Sequence, residues 1–223
     1  MVVLSGCARG IVMYGRRGRA FRLPHAADIW QRRLRQPVIY RLCARCCSEA
    51  SVMKVLVVIP ARYASTRYPG KPLVELRGAT CESRSLIQRS WDAAQGVTGV
   101  DRVVVATDDD RIKSVAEAFG AEVVMTSTDC KNGTERCAEA LDKLGGGYDI
   151  VVNLQGDAPL TPAWFIEDLV AGLSAHPVAE VATPVLRCDG RALNGLLNDR
   201  RQGRVGGTTA VFGADHNALF FSK

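Results

Sequence analysis

From Met53 onward the apolar residues fall into short, nearly continuous runs separated by segments with helical spacing. Runs of this kind belong to strands covered on both faces, as in a parallel sheet. The pattern predicts strands at residues 55–60, 102–106, 122–125, 149–154 and 178–184. A helix is predicted over 85–95, where Leu86, Ile87, Ser90, Trp91 and Ala94 share one face. A second runs from a cap at Asp109 or Asp110 to Phe119, before Gly120; a third runs over 133–144, ended by the glycines at 145–147. Pro162 suits the first turn of a fourth, reaching about Ser174. Residues 208–212 and 218–221 read as two β segments around a turn. The alternation predicts an α/β fold with a doubly wound, mainly parallel sheet, which takes ligands outside the carboxyl ends of its strands.

Residues 1–52 follow no such pattern. They hold ten Arg, no Lys, one Asp and one Glu, so the first quarter is basic, whereas residues 53–223 carry 19 basic and 21 acidic side chains. The net charge of +6 therefore belongs to the first quarter and says little about the rest. Three functional readings of that segment compete: a targeting peptide, an RNA-binding arm, and a metal site at Cys43, Cys46 and Cys47. Only Ser5, Ser48 and Ser51 supply the serines a transit peptide favours, and no second half-site follows Cys43-x-x-Cys46 at finger spacing. The plainer expectation is a basic extension, disordered or not native to the functional protein, with Met53 as the natural start of a domain over 53–223.

A chain of 223 residues is long enough for one α/β domain that buries roughly 70% of its unfolded surface. With 47% apolar and 23% charged residues, the composition excludes wholesale disorder, collagen and coiled coil. No run approaches the roughly 18 apolar residues that a spanning helix needs, so no membrane association is expected. Cys81, Cys130, Cys137 and Cys188 have no regular spacing, which suits reduced thiols in a cytoplasmic protein better than a disulfide frame.

Three polar clusters sit at predicted strand ends. The loop 60–72 combines Arg62, Arg67 and Lys71 with Ser65, Thr66 and Gly70, so backbone N–H groups can approach a polyphosphate while the cations neutralise it. It is neither a Walker loop nor a GxGxxG fingerprint, and Lys71 precedes Pro72, which has no N–H. Asp157, in Gln155-Gly156-Asp157, follows a buried strand; it can present a carboxylate to Mg²⁺ shared with substrate phosphates, or simply close a turn. Asp108, Asp109 and Asp110 follow the second strand, and at least one is needed as a helix cap. Asn132, Thr134 and Arg136 open a helix whose free N–H groups suit a ribose or base, although a capping role for Asn132 or Thr134 explains them equally. His25, His176 and His216 suggest neither a triad nor a zinc cage.

Taken together, IPARYASTRYPGKPL at 59–73, VVVATDD at 103–109, NGTER at 132–136, VNLQGDAP at 152–159 and ALFFSK at 218–223 resemble the cytidylyltransferases that activate 3-deoxy-manno-octulosonate (Kdo) for bacterial lipopolysaccharide. The likeness spans Met53 to Lys223. It implies a Rossmann-like fold of the nucleotide-diphospho-sugar transferase type, CTP as a substrate, Mg²⁺ as cofactor, and a homodimer. The implied reaction is attack by the anomeric hydroxyl of Kdo on the α-phosphate of CTP, with loss of pyrophosphate. By position, Arg62, Lys71 and Asp157 are the implied catalytic residues, with Asp157 as metal ligand. Ala61, Arg62, Ser65, Arg67, Lys71, Asp108, Thr134, Arg136 and Gln155 are the implied nucleotide contacts.

The chain departs from the family pattern in two places. Ala158 stands where an acid commonly follows the QGD aspartate. The chain also stops just after ALFFSK, where family members usually continue with a second metal carboxylate, part of the sugar site and dimer contacts; truncation at the carboxyl end is therefore expected. Another acidic sugar of the acylneuraminate kind is the alternative substrate. An inactive fragment that binds a nucleotide or RNA through its Arg-rich arm is the alternative of another class, although no nucleic-acid partner is expected of the domain itself.

Overall fold

The structure is a computed structural model that describes residues 53–64, 68–176, 178–204, 207–213 and 217–222, and the backbone of 2–4 and 11–12. Its centre is β3 (Val55–Ala61), a run dominated by Val, Leu and Ile and buried along its whole length. On one side it pairs in parallel with β6 (Arg102–Thr107), which pairs in parallel with β7 (Glu122–Met125). On the other it pairs in parallel with β8 (Ile150–Leu154), with Val57 opposite Val152 and Val58 opposite Asn153.

The chain thus steps outward from β3 through β6 and β7, then returns to the far side of β3 to form β8. The reversal creates a switch point between β3 and β8, where connections leaving the carboxyl ends diverge and a crevice opens. That crevice is where the loop after β3 faces the loop after β8.

Side chains alternate between two cores. Val55, Val57, Ile59 and Val152 pack with α1 (Leu86–Gln95), α2 (Asp110–Ala118) and α4 (Ala163–Ala175) through Ile87, Ile112 and Ile166. Leu56, Val58, Val104 and Val151 face the opposite way, onto Cys137 and Ala140 of α3 (Gly133–Lys143). Each buried Leu or Ile side chain contributes about 1.5–3 kcal/mol relative to exposure. Ser85, read from the sequence as the first residue of its helix, caps α1; of the candidate caps, Asp109 caps α2, and Asn132 caps α3 by accepting from Glu135 N at 2.9 Å. The Glu135 carboxylate accepts in return from Lys131 N and Asn132 Nδ2.

Five features depart from the expectations or add to them. Residues 178–184 form no strand: Glu180 interrupts the apolar run, β8 already has strands on both sides, and Ala179 and Ala182 pack against the core instead. A short hairpin, β4 (Glu75–Arg77) with β5 (Ser83–Ser85), and a helix, α5 (Gly190–Arg201), arise where no element is predicted. The two tail segments pair as β9 (Thr209–Phe212) and β10 (Ala218–Ser222), an antiparallel ribbon with exposed Leu219 and Phe220. In the first quarter, β1 (Val2–Leu4) lies parallel to β8 and β2 (Ile11–Val12) antiparallel to β1. The remainder of that quarter, including Cys43, Cys46 and Cys47, lies outside the described residues. No described helix is long and apolar enough to cross a membrane.

Candidate active site

The loop leaving β3 is drawn closed at its base. Gly70 N donates to the Tyr63 carbonyl at 3.0 Å, and Gly70 adopts φ +71°, a left-handed conformation that favours glycine. A β-carbon at Gly70 would also stand 3.1 Å from the Tyr63 ring. Immediately after it a 3-10 turn, Lys71–Leu73, begins with Pro72 buried near its start, where a missing N–H is no loss. Lys71 is therefore aimed by rigid neighbours. Its ammonium donates to Asp157 Oδ2 at 2.6 Å, joining the loop after β3 to the loop after β8. The two side chains are 45% and 39% exposed, so their attraction is screened and worth at most about 1 kcal/mol. The pair can open without unfolding anything.

Asp157 is placed by its neighbours in the same loop. Gly156 N donates to the Pro60 carbonyl at 3.3 Å, and the Gly156 carbonyl accepts from Ser90 of α1 at 2.9 Å. A β-carbon at Gly156 would lie 3.1 Å from both Pro60 O and Ile87 Cδ1, so the backbone approaches here because no side chain intervenes. Gln155 Nε2 donates to Asn153 Oδ1 at 2.6 Å, and Gly133 abuts both Gln155 and Pro60. The amino end of α3 thus borders the same crevice. Thr134 is half-buried in its first turn.

At the end of β6 a second ion pair forms. Arg136, on α3, donates from Nη2 to Asp108 Oδ2 at 3.0 Å and from Nη1 to Thr126 Oγ1. These side chains are 3% and 15% exposed, and Asp108 Oδ1 is buried without a hydrogen-bond partner among the described residues. Arg136 therefore directs its charge inward, holding Asp108. Next to it Asp109 grips the Arg111 guanidinium with both oxygens, Nε to Oδ1 at 2.9 Å and Nη2 to Oδ2 at 2.6 Å. The Arg111 side chain beside it holds the Asp109 carboxyl below its ordinary range. The same guanidinium lies 3.3 Å from the centroid of the Tyr63 ring.

Among the candidates, Lys71, Asp157 and Gln155 are gathered around the crevice at the ends of β3 and β8. Ala61 closes β3 in the core, and Arg62 is exposed, without an ion pair to a described residue. Ser65 and Arg67 lie outside the described residues. Tyr63, Arg111 and the fully buried Asn153 were not singled out from the sequence. Their signals are faint: an aromatic inside a cationic loop, a cation after the aspartate run, and one polar residue inside an apolar strand.

No cluster of three or more His, Cys, Asp or Glu suited to a metal occurs among the described residues. A lone, partly exposed carboxylate at a crevice still fits Mg²⁺, which binds one or two carboxylates and completes its shell with phosphate oxygens and water.

Comparison with known proteins gives this arrangement its context. Residues 56–194 match the family model described as cytidylyltransferase. The 3-deoxy-manno-octulosonate cytidylyltransferase of Maricaulis maris (strain MCS10) is 47% identical over 171 residues, 77% of this chain and 64% of that protein. The 8-amino-3,8-dideoxy-manno-octulosonate cytidylyltransferase of Shewanella frigidimarina (strain NCIMB 400) is 42% identical over 174 residues, 77% of this chain and 65% of that protein. A solved CMP:2-keto-3-deoxy-manno-octonic acid synthetase complexed with CTP superposes with a TM-score of 0.61 at 33% identity, covering 76% of this chain and 64% of that one. The chain thus spans slightly less than two thirds of the length of these relatives. With more than half of its residues inside the family model and the strand-end loops in place, the chain belongs to the cytidylyltransferase family.

Proposed function

We propose that the protein is a 3-deoxy-manno-octulosonate cytidylyltransferase, transferring CMP from CTP to the anomeric hydroxyl of Kdo. One observation carries the reading: the Lys71 ammonium and the Asp157 carboxylate meet at 2.6 Å across the switch point. A single ligand there touches a cation from one strand end and an anion from the next. The relative complexed with CTP and the relative named for Kdo transfer support the choice of substrates.

In the proposed reaction the anomeric oxygen forms a bond to the α-phosphorus, the bond from that phosphorus to the bridging oxygen breaks, and pyrophosphate departs with its electron pair. The hydroxyl proton passes to solvent. Such a transfer demands alignment and charge neutralisation rather than a protein nucleophile. Lys71 and Arg62 neutralise the triphosphate, and Gln155 and the amino end of α3 border the nucleoside. Asp157 is the residue that would hold Mg²⁺, which would supply further charge neutralisation when bound. The free thiols of Cys81, Cys130, Cys137 and Cys188 and a CTP requirement suit the cytoplasm, and a homodimer is the proposed assembly.

Pyrophosphate release from CTP and Kdo, measured on this chain and on a version extended at its carboxyl end with the corresponding part of the Maricaulis relative, tests the proposal. Activity in either that falls at least about a hundredfold in both Lys71→Ala and Asp157→Ala is expected. Turnover indifferent to both substitutions, or none in either protein, overturns it.

A further inference from the structure

Arg111 takes no part in the proposed chemistry, yet its guanidinium is held with unusual definition for a surface side chain. Asp109 binds it by two parallel hydrogen bonds of 2.9 and 2.6 Å. Asp109 is itself fixed, because the same carboxylate caps α2 by accepting from Arg111 N at 3.0 Å. The clamp thereby places the guanidinium carbon over the Tyr63 ring, 3.3 Å from its centroid. A bidentate clamp lowers the entropy lost in holding such a contact and makes it persistent.

Tyr63 relays this constraint. Its carbonyl accepts from Gly70 N at 3.0 Å, and its ring edge stands 3.1 Å from where a Gly70 β-carbon would be. Gly70 in turn is the residue from which the turn carrying Lys71 starts. The chain of contacts runs from the end of β6, through Asp109, Arg111, Tyr63 and Gly70, to the cation that meets Asp157. Without this contact Tyr63 keeps the bond from Gly70 N to its carbonyl but loses the clamped guanidinium over its ring.

We infer that Arg111 is a positioning residue for the phosphate loop: clamped by Asp109 and stacked on Tyr63, it holds the Gly70–Lys71 turn in the orientation that receives the β- and γ-phosphates. The inference rests on the proposed binding of CTP. It requires that Arg111 act through Tyr63 and not by touching the nucleotide. A cation over a partly exposed aromatic ring contributes about 0.5–2 kcal/mol, which converts to roughly a two- to thirtyfold change in affinity.

Calorimetric titration of CTP with Mg²⁺, and separately of CMP, into the chain and its variants tests this. Arg111→Ala and Tyr63→Leu are each expected to weaken CTP binding about three- to tenfold while leaving CMP binding unchanged, since CMP lacks the outer phosphates. The double variant loses no more than the weaker single one, and Tyr63→Phe, which keeps the ring, retains full affinity. Arg111 is 60% exposed, so the melting temperature of Arg111→Ala stays close to that of the parent. Losses that add in the double variant, or equal losses for CTP and CMP, overturn the inference. A strong effect of Lys71→Ala on CTP binding, with none from Arg111→Ala, overturns it while leaving the CTP reading intact. Indifference of CTP binding to Lys71→Ala removes both.

Discussion

Two of the ion pairs along the carboxyl edge of the sheet, Arg136 with Asp108 and Lys71 with Asp157, each join a cation to an aspartate but differ in what surrounds them. Arg136 and Asp108 are almost completely enclosed, whereas Lys71 and Asp157 each keep more than a third of their side-chain surface in water. Burial makes the first pair hard to separate, because either charge left alone in the interior is costly. The second can exchange its partner for a ligand at little cost. Their surroundings therefore separate a pair that holds the fold from one that is free to bind.

The largest expected effect breaks the enclosed pair. Arg136→Met strands the Asp108 carboxylate and should lower unfolding free energy by about 3–5 kcal/mol, read from urea denaturation. A loss below about 1 kcal/mol would make the two pairs alike after all. A smaller effect comes from moving one member of the open pair without removing its charge. In Gly156→Ala the new methyl meets Pro60 O and Ile87 Cδ1 at 3.1 Å, so a cost of about 1–3 kcal/mol is expected. Asp157 is displaced with the loop, and the Michaelis constant for CTP should rise in steady-state assays. The smallest effect sharpens the contrast most. Lys71→Met should change stability by less than about 1 kcal/mol in the same denaturation experiment, although it removes an ion pair shorter than that of Arg136.

Much of this was legible in the chain because β3, β6, β7 and β8 are dense in Val, Ile and Leu and are read as strands whatever their neighbours. Lys71 lies in the loop that leaves β3 and Asp157 in the loop that leaves β8, so the switch-point rule puts both at the same edge before any coordinates exist. Arg111 and Tyr63 are different: they come from separate loops, and only the register of β3 against β6 makes them meet. The helix α5 had its signals, an Asp189 cap and Leu193, Leu196 and Leu197 at helical spacing, but none of its residues is buried. An element that buries none of its residues leaves a weak amphipathic trace. Residues 178–184 show the converse, an apolar run that finds no strand to pair with.

The contact between Lys71 and Asp157 also makes each group a placeholder for what the other will meet. A divalent cation arriving alone must displace an ammonium, and a bare polyphosphate that captures the ammonium leaves an orphaned carboxylate facing anionic oxygens. The two arrivals together satisfy both groups at once. If the proposed chemistry holds, cation and nucleotide should therefore enter synergistically, each raising the other's affinity by an equal factor, as thermodynamic reciprocity demands.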